Sequence, residues 1–434
     1  MAAALRDRLR SLGPGLVLAA AGIGAGDVVV ASVTGIKFGT TLLWAVVFTV
    51  ALKFVVTEAL ARWQLATGET IVRAWVTRLP RWVAVLFAVY LLFWTFLVGA
   101  SLSSACGLAG ASIYPRLPTP IWGALHAVVA ALLVGLNRYE RFQRMMKGLV
   151  ALMALCVLGC AVVAAPPLAE VLRGLFIPRM PAAGGGRAVL ALLGGIGGSL
   201  TVVCYGYWMR AAAWRGAEKL ATMRLDLRLA YAFTGLFGIA LIAIAAGVEA
   251  QGTGGARLAL EIAARLESVA GPAGRWVFLV GFWGTVFTAM LGVWHGVPQI
   301  YVDLAGAWRR GANGGRVPGP GERPADAPEQ VEGTPPPSRD QRRDRGVYLA
   351  ALGFLAGPPL ALLWFRQPVA VVVAFSVTGA FVMPFLAGTL LYLNNRRDWM
   401  GLLANRWPGN TALVVCLIVF GAVCVVEIWS ALGA

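Results

Sequence analysis

Charge is what this sequence has least of. Asp, Glu, Lys and Arg together make up 13% of the 434 residues, about half the share found in ordinary soluble domains. Acids are the scarcer sign, 20 against 37 Lys and Arg, and histidine occurs only as His126 and His295. A chain with so few charges cannot clothe a soluble surface. The same scarcity leaves no hydrolase triad, no phosphate-binding Gly-Lys-Ser/Thr loop and no zinc cluster. The six cysteines (Cys106, Cys156, Cys160, Cys204, Cys416, Cys424) form no Cys-x-x-Cys pair and have no partner histidine spacing. They read as small core hydrophobes. These absences argue against an enzyme, and no cofactor is expected.

What is abundant is apolar sequence, 59% of the chain. It comes in runs of about 20 residues, the length a helix needs to cross a hydrocarbon core. Runs bounded by charge, Pro and Gly predict eleven spans: 13–36, 41–60, 82–108, 119–136, 147–166, 188–211, 229–248, 275–304, 346–365, 368–393 and 411–431. The fold class is therefore an all-α membrane protein whose main partner is the lipid bilayer. The start of the chain, Met1 to Arg10 and the apolar stretch after it, looks superficially like a signal peptide. It lacks a clear cleavage motif and is read as uncleaved.

A formal net charge of +17 suggests nucleic acid until the basic residues are located. Apart from Lys53 they lie between the apolar runs. If the N-terminus is cytoplasmic, 27 of the 37 Lys and Arg fall in cytoplasmic segments and nine outside. That bias predicts a multi-pass protein of a bacterial-type inner (plasma) membrane, with its N-terminus inside and its C-terminus outside. No nucleic-acid partner is expected. Residues 309–345 turn abruptly to Pro, Gly, Arg, Asp and Glu, which predicts a disordered cytoplasmic linker. Gln251 to Gly274, with Glu261 and Glu267 in an apolar helical pattern, predicts a short amphipathic external helix.

Two glycine clusters fall inside spans, Gly22-Ile23-Gly24-Ala25-Gly26-Asp27 in the first and Gly194-Gly195-Ile196-Gly197-Gly198 in the sixth. Each glycine weakens a helix by about 1 kcal/mol. Clusters five spans apart suggest broken helices at matching places in two halves, an arrangement that puts a transporter's site at the bilayer midplane. The alternative is close helix packing through small residues. Asp27 favours a site, because a mid-span carboxylate is costly unless it is paired, protonated or facing water. Gly24, Gly26, Asp27 and Gly198 are thus candidate ion-binding residues. Cys204 is a candidate soft ligand, and Tyr205 beside it is a candidate contact. His295 is a candidate for a proton or gating role. Glu58 lies i,i+4 from Arg62 and reads as an intrahelical ion pair, while Lys53 awaits an acid elsewhere.

The opening Gly13-Pro14-Gly15-Leu16, the run Lys37-Phe38-Gly39 with Leu42-Leu43-Trp44, Ala66-Thr67-Gly68, Met383-Pro384-Phe385 and Asn394-Asn395-Arg396-Arg397 resemble the Nramp family of divalent-metal transporters in order and spacing. The resemblance implies a LeuT-like fold of two inverted five-helix repeats (1–166 and 188–393) plus an eleventh helix (411–434). It implies secondary-active symport of a divalent cation by alternating access. The family's Asp-Pro-Gly-Asn aligns here with Gly24-Ala25-Gly26-Asp27, and its Met-Pro-His falls around Val202-Val203-Cys204. With thioether and histidine gone, a carboxylate with carbonyls suits magnesium, calcium or manganese, and Cys204 keeps a softer ion within reach. The third span has no Asp or Glu, so the acid that the resemblance assigns to proton transfer is missing. An organic amine or amino acid is the alternative cargo, held by Asp27 with Tyr205, Tyr207 and Trp208. A non-transporting receptor is the third reading.

Overall fold

The structure is a computed structural model, and it describes residues 13–136, 139–164, 166–248, 255–312, 339–365 and 368–432. Nearly all of these are helical. Among the described residues nine helices are long and apolar enough to cross a membrane, and a bent pair, α1 (Pro14–Gly22) and α2 (Ala25–Phe38), makes a tenth span with a 56° break. A second pair, α9 (Gly185–Gly195) and α10 (Thr201–Ala211), is interrupted over 196–200 and lies where the sixth span is expected.

The first half continues through α3 (Leu43–Thr67), a short α4 (Ile71–Arg78), α5 (Arg81–Ile113), α6 (Thr119–Leu136), α7 (Tyr139–Val163) and a short α8 (Leu168–Phe176). After the second broken pair come α11 (Leu220–Ala245), α12 (Gly255–Ala312), α13 (Arg339–Ala356), α14 (Pro368–Ala380), α15 (Val382–Asn394), α16 (Arg397–Met400) and α17 (Trp407–Leu432). Helices lie at each of the eleven expected positions, ten of them long and apolar enough to cross a membrane once the bent pair is taken as one, but several outrun their apolar runs. The second continues from residue 60 to Thr67 because its polar residues find partners: Arg62 Nε lies 3.3 Å from Glu58, and Gln64 Nε2 donates to Gly206 O at 2.6 Å. The seventh starts at Leu220 rather than 229 for the same reason, with Arg224 on Glu58 at 2.7 Å.

Within α12 the chain kinks at Gly271, whose φ of 67° separates an outer helix from the eighth span. The expected segment, 251–274, is helical over 255–270 and ends at this kink, and 251–254 lie outside the described residues. The tenth span is two helices, α14 and α15, meeting at Phe381, and Pro358-Pro359 turn the end of the ninth span into a 3-10 helix over Pro358–Phe365. The expected linker, 309–345, lies mostly outside the described residues, and the helices on either side reach Ala312 and begin at Arg339. Helices α4 and α8 were not expected.

Burial separates inner from outer helices. The most apolar stretch of α12 is 78% buried, against 28% in α6 and α17. The outer helices instead expose Leu132, Leu155, Val162, Ile418 and Val425. A lipid solvent accepts such side chains at no cost.

Candidate ion site at two helix breaks

The first break follows from sequence. Helix α1 ends at Gly22, α2 starts after Gly24, and Asp27 stands three residues into α2. Its Oδ2 accepts the Gly24 N–H at 2.8 Å, which caps the new helix. Its Oδ1 accepts the Gly197 N–H at 2.7 Å, across 170 residues of sequence. One carboxylate therefore ties both breaks together. Glycine is required on the far side, since Gly197 and Gly198 have φ of 78° and 68°. A Cβ on Gly22 would fall 3.2 Å from the Gly197 carbonyl, so the breaks meet backbone to backbone.

Lys53 grips the same stretch from α3. It is fully buried, and its Nζ donates to the carbonyls of Ile196 and of Gly198, the latter at 2.6 Å. Asp27 and Lys53 are near enough to act on each other's charge. Residues 196–198 are thus held through an N–H by an acid and through two C=O groups by a base.

Between the breaks lies a cavity of ≈ 20 Å³, lined by Gly22, Gly24, Gly26, Asp27, Gly198, Ser199 and Thr201, with Trp94, Val98, Leu102, Val293 and Phe375 among its apolar walls. That volume holds about one water-sized occupant. Trp94 donates to Ser199 Oγ at 3.2 Å, whereas the buried Thr201 Oγ1 has no hydrogen-bond partner among the described residues. Each oxygen of Asp27 has accepted one N–H and keeps a lone pair for a cation. The C-terminal ends of α1 and α9 add the partial negative charge of their free carbonyls.

Of the candidate residues, Gly24, Gly26, Asp27 and Gly198 line this cavity, and Cys204, Tyr205 and His295 do not. The Cys204 thiol is pressed against α12, where a Cβ on Gly296 would fall 2.7 Å from its Sγ. Tyr205 instead donates to Asp226 Oδ2 at 2.9 Å. His295 stacks on Phe142 at 4.1 Å and accepts from Trp208 at 3.2 Å. No group of three or more His, Cys, Asp or Glu side chains converges among the described residues, so any cation here is held by one carboxylate, hydroxyls and backbone.

Polar ties cross the bundle on the side where α3 and α10 end. Asp226 on α11 accepts the Gly15 N–H at 2.6 Å as well as the Tyr205 hydroxyl. Asp303 on α12 accepts from Thr70 and, at 3.1 Å, from Tyr207, with Arg210 at 3.9 Å. Toward the other end lies an apolar cavity, also ≈ 20 Å³, between Val29, Ser32, Leu258, Ile262 and Phe278.

Interrupted helices crossing around one buried carboxylate, within a bundle of lipid-facing spans, define a multi-pass membrane protein of the broken-helix type. Comparison with known proteins agrees. The family described as Natural resistance-associated macrophage protein-like (Nramp) matches residues 15–430. The chain belongs to that family.

Among curated relatives, "Metal transporter Nramp6.2" of Populus trichocarpa is 26% identical over 195 residues, covering 44% of this chain and 35% of the relative. "Divalent metal cation transporter MntH" of Chromohalobacter salexigens is 29% identical over 256 residues, covering 54% and 56%. The matches therefore span about a third to just over half of those relatives' length. A manganese transporter of Eremococcus coleocola, solved with an aromatic bis-isothiourea compound, superposes with a TM-score of 0.70 at 14% identity, covering 98% of this chain and 87% of that one. A mutant of the same transporter gives 0.71 at 15% identity, covering 96% and 86%. The fold is accordingly LeuT-like, two inverted five-helix repeats and an extra helix.

Proposed function

We propose that this protein is a secondary-active transporter of a divalent metal cation, working by alternating access, with Asp27 as the charged contact. The observation that carries the reading is the single-ion cavity between two helix breaks tied by Asp27. A space this small favours an ion over an amino acid as cargo. Asp27, the Thr201 and Ser199 hydroxyls and freed backbone carbonyls form an oxygen donor set, which suits magnesium or manganese better than a soft ion.

The two repeats divide as 1–166 and 188–393, each opening with its broken span, and 411–434 adds the last helix. The protein sits in an inner (plasma) membrane with its N-terminus cytoplasmic and its C-terminus outside, as the distribution of Lys and Arg favours. The polar ties at Asp226 and Asp303 are then the cytoplasmic gate. Coupling to protons does not use an acid on the third span, where Trp94 faces the cavity instead.

The test is uptake by proteoliposomes of the whole chain. Manganese or magnesium accumulation above that of empty vesicles is expected. Accumulation of an alkylamine but of neither metal would replace this reading with the organic one.

A further inference from the structure

Lys53 sits where the physics of a broken span places a cation. The interruption at 196–200 frees carbonyls that no helix satisfies, and these are the groups a cation uses at a transporter's midplane. An ammonium from α3 already takes two of them, Ile196 O and Gly198 O. Lys53 is fully buried, and the site's one carboxylate, Asp27, is the charge acting on it. A buried ammonium must find acceptors, and those it finds are carbonyls of the break itself.

We infer that Lys53 is a tethered cation: its ammonium permanently holds one cationic position of the two-break site and offsets Asp27, and the cargo ion binds against it. The inference rests on the transport reading for its cargo, and on geometry alone for the tethered charge. It has two consequences. The empty site is electrically balanced, so the closed bundle is stable without cargo. A divalent ion added beside Lys53 is held weakly enough to leave, and the lysine thereby sets the site's affinity. Lys53 is in this sense a positioning and specificity residue.

Two variants of the purified full chain test this. Lys53→Ala removes the ammonium and leaves its space, so ethylammonium chloride should raise the variant's lowered Tm in a saturable way, while acetamide at equal concentration should not. Lys53→Gln keeps a donor for the carbonyls but no charge. By calorimetric titration it should bind manganese at least tenfold more tightly than the wild type. Ethylammonium acting no better than acetamide overturns the tethered cation, as does manganese binding to folded Lys53→Gln that is unchanged or weaker. If neither wild type nor Lys53→Gln binds manganese or magnesium, the proposed cargo is wrong, and the ethylammonium titration decides the tethered cation by itself. If Lys53→Ala does not fold, the Lys53→Gln titration decides it.

Discussion

Asp27 accepts the backbone N–H of Gly197 at 2.7 Å, so a side chain in the first broken span holds the backbone of the second. The same carboxylate caps its own half-helix through Gly24. Any motion of one break against the other must lengthen or exchange these bonds. That makes the proposed ligand also the tie between the two breaks.

Replacing Asp27 by Asn should therefore cost stability as well as function. The amide oxygen can take one N–H, but its NH2 then faces the donor that the other carboxylate oxygen satisfied. A buried donor left unpaired costs about 1–3 kcal/mol. A lower midpoint in denaturant titration of detergent-purified protein is expected, and an unchanged midpoint would mean that the two bonds do not tie the breaks.

Thr201→Val should behave oppositely. The Thr201 hydroxyl is buried without a partner, and an apolar isostere spares that desolvation, worth about 1–3 kcal/mol. Unfolding should be unchanged or shifted to higher denaturant, while manganese affinity falls about tenfold, the equivalent of ~1.4 kcal/mol. Equal affinity in variant and wild type would remove Thr201 from the ligand set.

Gly197→Ala should destabilise the protein through the backbone. The left-handed φ of 78° costs an L side chain about 1–2 kcal/mol, and the added Cβ would lie 3.5 Å from Lys53 Cδ. A lowered Tm measures it.

Tyr205→Phe removes the hydroxyl that Asp226 accepts, in the polar tie that also holds the start of α1 through Gly15. A hydrogen bond to a charged group contributes about 1.5–3 kcal/mol. The expected result is faster labelling of a cysteine placed near Gly15, with ion affinity unchanged. A loss of affinity with unchanged labelling would put Tyr205 in the site and not in the gate.

The frame and part of the site were legible in the sequence because the signals were rare ones. Glycine clusters stand out in long apolar spans, and Asp27 is the one acid in the first. Other contributors were hidden by commonness or distance. Thr201 and Ser199 look like any hydroxyl in a span, most of which return to the preceding turn as Thr49, Thr57 and Thr234 do. The partners of Lys53 are backbone atoms more than 140 residues away, and a search for an opposite charge cannot find a carbonyl. Asp226 stands next to the basic residues around Arg224 and reads as part of a connecting segment, although its helix had already begun. The side chains of Cys204 and Tyr205 belong to the right half-helix, but its rotation turns them to α12 and α11.

The measurement that bears most directly on the two-break site is manganese and magnesium uptake into liposomes by wild type and Asp27→Asn side by side, with both proteins shown to be folded and inserted. The account predicts uptake by the wild type and its loss in the variant. Equal uptake by the two would contradict it, because the carboxylate joining the breaks would then not be the cation's ligand.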